Sequence, residues 1–340
     1  KKMGIKASPT CVMHYEDAKG WLVGDLNKGM KAMFIMMNGA RLFVGIQGIG
    51  LSETAFQSAL HYSKERVQGK LPDSENVADP IIVHPEIRKN LMFMKSMNDG
   101  IRGLMLKAGH AFDLIDSDQN EEISQSSENL IALLTPILKS FATDKSMEIT
   151  NQALQVYGGH GYITDHGMEQ LVRDARITPI YEGTNGIQAL DLIGRKFSIN
   201  NGLIINQYLN EISKFLENNK DNKKLSKFIK LFDPSYSDLK DSVKFIKEIP
   251  SNNTQEINSH AVDLLNLFAL VAVGFTWLEF INVSIAKTED DEDDFYLSKI
   301  QLGEFYLTKL IFETQKFKNN IFSSGKLYNE FQDKFFEVGI

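Results

Sequence analysis

From residue 26 to about residue 67 the apolar side chains recur with a helical period, and no proline interrupts them. Met33, Met36, Met37, Ala40, Val44, Gln47, Leu51 and Ala55 fall along one face, which predicts a long helix. A helix with such a stripe must bury it against other elements, so the rest of the chain has to supply partners. Its methionines, Met30, Met33, Met36 and Met37, read as core packing, since methionine fills irregular gaps; a position beside a cofactor is the alternative.

The partners are helical. Residues 85–114 form a second pattern with Pro85 in the first turn, and residues 130–157 a third, with Pro136 marking a kink or restart and Gly158-Gly159 ending it. A loop over 69–79 and a polar gap over 116–125 separate them, and residues 164–177 and 184–197 read as shorter helices. Beyond Asn200, lysine, asparagine, phenylalanine and isoleucine dominate, and helical patterns recur at 202–216, 235–248, 260–285 and 295–322. They predict a second helical domain over 199–340. The acidic run 289–294 reads as a solvated loop, with a calcium site as the sharper alternative; the glycine and terminal glutamate of an EF-hand loop are absent. Residues 1–26 read as strand and turn, from the alternation at 10–15 and the glycines at 20 and 24.

Composition narrows the functions. The 340 residues are 43% hydrophobic, enough for a sizeable core, and 37 Lys and Arg against 44 Asp and Glu leave a net charge of -7. Such a chain has no general attraction for nucleic acid. The single cysteine, Cys11, excludes an internal disulfide and any cysteine-clustered metal site, and is consistent with a reducing, cytoplasmic compartment. No metal site is expected, because the seven histidines do not pair at ligand spacing. The most lipid-like stretch, residues 264–283, carries Asn266 and Glu279, and its charge-free part falls short of the roughly 20 residues a bilayer demands, so a buried helix rather than a membrane span is expected. The start at Lys1, with no signal-peptide pattern, reads as a sequence entered midway.

Two glycine-rich turns carry the chemistry. Gln155-Val156-Tyr157-Gly158-Gly159-His160-Gly161-Tyr162 closes one helix. Tyr181-Glu182-Gly183-Thr184-Asn185-Gly186 puts a carboxylate just ahead of another helix, whose first N–H groups favour developing negative charge. Gly158-Gly159 as a mere cap, and Glu182 as a mere helix-dipole partner, are the plain alternatives.

These motifs, with Arg41 and Glu65-Arg66 on the long helix, Arg173-Asp174-Ala175-Arg176-Ile177, and Ile180 to Gln188, make residues 1 to about 198 resemble the acyl-CoA dehydrogenase family. The resemblance implies a mainly α fold: an end of a central β domain over 1–26, a helical bundle of the family's C-terminal type over 27–198, and an additional helical region, as in the branch acting on 3-methylthiopropanoyl-CoA. It implies FAD as cofactor and dehydrogenation of an acyl-CoA thioester between its α and β carbons. Glu182 would be the catalytic base, its pKa raised by desolvation. The Glu182 N–H and a flavin hydroxyl would bind the thioester carbonyl. Asn38, Arg41 and Gly183 fall at substrate-side positions. Arg66, Val67, Gln68, Gln155, Gly158, Gly159, Thr184, Asn185 and Gly186 fall at FAD positions, Arg66 to Gln68 and the Gln155–Gly159 turn across a dimer. His84 and Pro85 fall at a further FAD-neighbouring position; His160 and Tyr162 read as packing residues, and Arg173, Asp174 and Arg176 as structural salt bridges. Electron-transfer flavoprotein would take the electrons in a homodimer or homotetramer. An acyl-CoA oxidase, a nucleic-acid-associated flavoprotein of the same superfamily and a helical assembly module without catalysis are the alternatives; without the missing β-domain residues the chain alone would retain FAD weakly and be inactive.

Overall fold

The computed structural model describes residues 1–117, 120–197 and 202–339, and within them the chain is helical almost throughout. Three long helices form the first bundle: α1 (Gly29–Glu65), α2 (Pro85–Ser117) and α3 (Glu121–Tyr157). The short α4 (Met168–Ala175) and α5 (Asn185–Leu190) follow, and α5 runs on as a π-helical turn over Asp191–Lys196. Next come α6 (Leu203–Asn218), α7 (Ser226–Glu248), α8 (Thr254–Ser259), α9 (Ala261–Lys287), α10 (Phe295–Phe305) and α11 (Glu313–Phe322). The expected boundary between the two helical regions, at 198/199, lies outside the described residues.

The pattern that predicted α1 is met in length and corrected in facing. Its buried residues are Arg41, Leu42, Val44, Gly45, Gly48, Ile49, Ser52, Ala55, Phe56, Ala59 and Ser63, of which only Val44 and Ala55 were on the expected face, and the small ones let α1 lie close against α3. The methionines are not core: Met30 and Met36 are exposed, Met33 and Met37 only half-buried. Among the described residues none of 29–40 is buried, and the outward face of α1 leaves Ile35 and Phe43 about 70% exposed.

Residues 1–26 form no strand, which corrects the expectation from alternation; among the described residues the one extended pairing is an isolated bridge between Val67 and Pro80. A strand needs a neighbour to take its backbone N–H and C=O groups, and no sheet edge is offered here. The segment docks instead through its first residues. Arg173 Nη1 donates to the Met3 carbonyl at 2.7 Å, and the Ile5 N–H donates to Asp174 Oδ1 at 2.6 Å. Arg173 also pairs with Glu169, so two of the three expected brace residues do brace.

The helix expected from 130 begins at Glu121, because Asn120 caps it by accepting from the Glu122 N–H, and the expected polar gap is correspondingly shorter. Pro136 neither starts nor ends it. In the acidic run, Asp291 caps α10 by accepting from the Phe295 and Leu297 N–H groups, a structural use of its carboxylate.

The apolar residues of α9 point all around it, and it is the axis on which α2, α3, α5, α7, α10 and α11 pack. Helices α1 and α9 are each long and apolar enough to cross a membrane by composition; 83% of the apolar window of α9 is buried inside the protein, against 33% of that of α1. Its fit against α2 depends on Gly100: a methyl group there would come within 2.6 Å of Val273 Cγ1 and 2.7 Å of Trp277 Nε1. Trp277 in turn donates to the Ser96 carbonyl at 3.2 Å.

Candidate active site

The turn between α4 and α5 is wound tightly. The Asn185 N–H returns to the Pro179 carbonyl at 3.0 Å, and Thr184 caps α5 by accepting from the Ile187 N–H at 3.4 Å. Within it Glu182 takes φ 57° and Gly183 φ 86°. The left-handed conformation costs a non-glycine residue about 1 kcal/mol or more, so Glu182 is held there by its surroundings.

Both carbonyls of that pair are gripped from the bundle side. Arg41 Nε and Gln188 Nε2 each lie 3.4 Å from the Glu182 oxygen, and Lys139 Nζ donates to the Gly183 oxygen at 2.8 Å. Lys139 also donates to Asn185 Oδ1 at 2.9 Å, while Asn185 Nδ2 reaches the Ser140 carbonyl, Thr143 Oγ1 and, at 2.7 Å, Asp144 Oδ1. The buried Arg41 also faces Asp191 Oδ2 at 3.8 Å, an ion pair that is the plain alternative to a substrate-side role. On α1, the Gln47 amide oxygen accepts from the Tyr181 hydroxyl.

What the turn leaves unbound is its front. The Glu182 side chain is half-buried, and among the described residues its carboxylate has no hydrogen bond or ion pair and its N–H no acceptor. Burial pushes the Lys139 ammonium down to about 8, with Arg41 adding to the shift and Asp144 and Glu182 opposing it. Burial likewise raises the Asp144 carboxyl, against the hydrogen bond from Asn185.

The expected FAD residues divide into two groups. Arg66, Gln68, Gln155, Gly158 and Gly159 come together from the end of α1 and the end of α3 around one cleft of about 730 Å³. Thr184 and Gly186 are not part of it; they lie at the start of α5, beside Glu182. Asn38 is exposed on α1 and is not among the groups that hold the turn, whereas Arg41, three residues later, is.

The cleft is walled by Tyr62 stacked on Tyr157, 4.1 Å between ring centres. His160, expected as packing, lines it and hydrogen-bonds the Tyr62 hydroxyl at 2.7 Å; Tyr162, also expected as packing, is 84% exposed. His84 lines it as well, with Nε2 2.8 Å from the Gln68 carbonyl, while Pro85 does not. Gly158 has φ 58°, and a Cβ added at Gly158 or Gly159 would project into open space, so backbone forms the cradle there. Guanidinium, amide and bare backbone beside aromatic rings form a donor set that suits a nucleotide carrying phosphate groups.

Sequence reading passed over Lys139, Gln188, Asp191 and Asp79. Lys139 had a signal, as one cation inside the apolar run 131–142. Asp79 closes the loop beside the cleft: it accepts from the Leu71 N–H at 2.9 Å, Ser74 Oγ at 2.7 Å and Asn76 Nδ2 at 2.7 Å. Those bonds, the Leu71 N–H first, hold its carboxyl down at about 2.

The described residues thus form a helical-bundle domain that presents an unpaired carboxylate on a gripped turn and, apart from it, a phosphate-suited cleft. Residues 27–197 match the family model of the acyl-CoA dehydrogenase C-terminal domain, and the chain belongs to the acyl-CoA dehydrogenase family. Residues 208–330 match a second model, described as acetyl-CoA dehydrogenase C-terminal like. The chain is 44% identical over 196 residues to 3-methylmercaptopropionyl-CoA dehydrogenase of Ruegeria pomeroyi, covering 57% of this chain and 33% of that protein. It is 28% identical over 324 residues to a butyryl-CoA dehydrogenase of Syntrophomonas wolfei, covering 91% and 53%. The fold is that of an acyl-CoA dehydrogenase from Bacillus anthracis solved with FAD, at TM-score 0.75 and 19% identity, over 99% of this chain and 57% of that one. The chain thus spans between a third and about half of these curated relatives' length.

Proposed function

We propose that the whole protein is an FAD-dependent acyl-CoA dehydrogenase in which Glu182 removes the α proton of the thioester. One observation carries this reading: Glu182 presents a carboxylate and an N–H that are free among the described residues, from a turn whose carbonyls are both fixed from behind. The carboxylate can take a proton, and the N–H can donate to a thioester carbonyl as negative charge develops on it. Arg41 keeps the peptide plane oriented, and Gly183, where a Cβ would come within 2.8 Å of Gln188 Nε2, lets that amide close on the turn. Arg66, Gln68 and the backbone of Gln155, Gly158 and Gly159 would hold FAD through its phosphates and adenosine half, supplied across a dimer; Thr184 and Gly186 would meet it near the base. Bound there, FAD would supply the hydride acceptor.

A short acyl chain is proposed as substrate, with 3-methylmercaptopropionyl-CoA the first candidate because that relative shares 44% identity through the site-bearing bundle. Electron-transfer flavoprotein is the proposed acceptor and the cytoplasm the proposed compartment, the latter supported by a lone, exposed Cys11. No membrane crossing is proposed: α9, the more apolar of the two candidate helices, is largely buried against its neighbours.

The test is a screen of acyl-CoA thioesters against the whole protein, 3-methylmercaptopropionyl-CoA and butyryl-CoA first, following loss of the flavin's visible absorbance. Bleaching that Glu182→Gln abolishes is expected. Equal bleaching by that variant would overturn the assignment, and steady peroxide without an added acceptor would make the protein an oxidase.

A further inference from the structure

We infer that Lys139 is a positioning residue for the proposed dehydrogenation, a buried cation that fixes the Glu182 turn from behind through the Gly183 carbonyl and Asn185. The inference rests on the reading of Glu182 as the base and adds a group that no part of that reading requires.

The geometry is specific. Lys139 lies in the middle of α3, is fully buried, and spends two of its three donors on the turn: the Gly183 oxygen at 2.8 Å and Asn185 Oδ1 at 2.9 Å. A buried ammonium is costly, and among the described residues no carboxylate lies within ion-pairing distance of it, although Asp144 and Glu182 act on it from farther off. Simple packing of α3 would be served better by an apolar side chain of similar length. The cation is therefore placed for what it holds: the Gly183 carbonyl and the Asn185 amide, which flank and fix the turn in which Glu182 takes a left-handed conformation.

Asn185 completes the clamp. Its side chain joins Lys139 to Ser140, Thr143 and Asp144, four residues that α3 presents on one face because they are spaced one and four apart. The base is thereby referenced to the long helix α3 and, through Arg41, to α1, the two helices that make the first bundle. Loss of Lys139 would leave the Gly183 carbonyl with Gln188 Nε2 at 3.3 Å, and Glu182 free to relax toward negative φ, carrying its carboxylate and N–H out of register.

The experiment has two arms, each run with Lys139→Met, which preserves length and removes all donors, and Lys139→Gln, which keeps a neutral donor. In the 340-residue chain, amide hydrogen exchange should quicken about tenfold or more over residues 180–186 in Lys139→Met and less in Lys139→Gln, with α2, α7 and α9 unchanged within about twofold. In the whole protein, kcat should fall about 100-fold in Lys139→Met with KM within about threefold, since the loss is of alignment rather than of substrate contact. Exchange unchanged in the turn, or quickened equally through the bundle, would overturn the inference and make Lys139 a core residue. If Lys139→Met fails to fold, Lys139→Gln is read against the same criteria. Glu182→Gln run alongside separates the two readings: its full activity would remove the base, whereas its inactivity together with wild-type kcat in both Lys139 variants would remove only the clamp.

Discussion

Glu182 was legible in the sequence, whereas what holds it was not. The motif around it named the carboxylate, but Lys139 and Arg41 stand 43 and 141 residues away, and only packing of α3 and α1 brings Arg41 to its carbonyl and Lys139 to that of Gly183. Lys139 gives a pH signature with a definite sign. Its ammonium is pushed down to about 8 from 10.5, so between those values the unfolded chain binds more protons than the folded one, and stability rises with pH. Below about 8 both states are protonated and the burial penalty is fully present; it is relieved as pH rises toward 10.5. Wild-type stability minus that of Lys139→Met, from denaturant titrations at stepped pH, should climb across this window and be flat below it.

At the scale of elements, one loop shapes the cleft and one helix contact sets the packing of the two helical regions. Asp79 folds the loop after α1 so that Gln68 and His84 line the cleft, and Asp79→Ala should release residues 69–79 to limited proteolysis and weaken FAD retention by the whole protein. Unchanged cleavage in that loop would show that the bridge between Val67 and Pro80 holds it alone. The α2–α9 contact is set by Gly100, where Gly100→Ala should cost about 1–3 kcal/mol in denaturant unfolding, because Val273 and Trp277 have no room to retreat. Helical periodicity predicted these elements well where both faces obey one rule. It failed at α1, where the period was right and the facing wrong, and over residues 1–26, where alternation has no sheet to join.

For the molecule as a whole, the uneven surface is the outstanding feature. Ile35 and Phe43 on α1, with Trp21, Leu22 and Val23 before it, are each about 70% exposed or more, although the chain carries a net charge of -7 that favours solubility. Large exposed apolar side chains of this kind drive association. The double variant Ile35→Glu, Phe43→Glu should lower self-association of the 340-residue chain in sedimentation velocity while leaving its thermal midpoint within about 2 °C, since neither side chain contributes to the core.

The sequence by itself determined most of the helices and the family, and it pointed to Glu182 as the proposed base, because hydrophobic period and glycine-flanked motifs are local and survive without knowledge of neighbours. Tertiary structure decided which face of α1 is buried, which residues share the cleft, and that a buried lysine and arginine grip the Glu182 turn. Those are properties of contacts between distant segments, and a side chain's burial, charge state and hydrogen bonds are set by what packs against it rather than by what adjoins it in the chain.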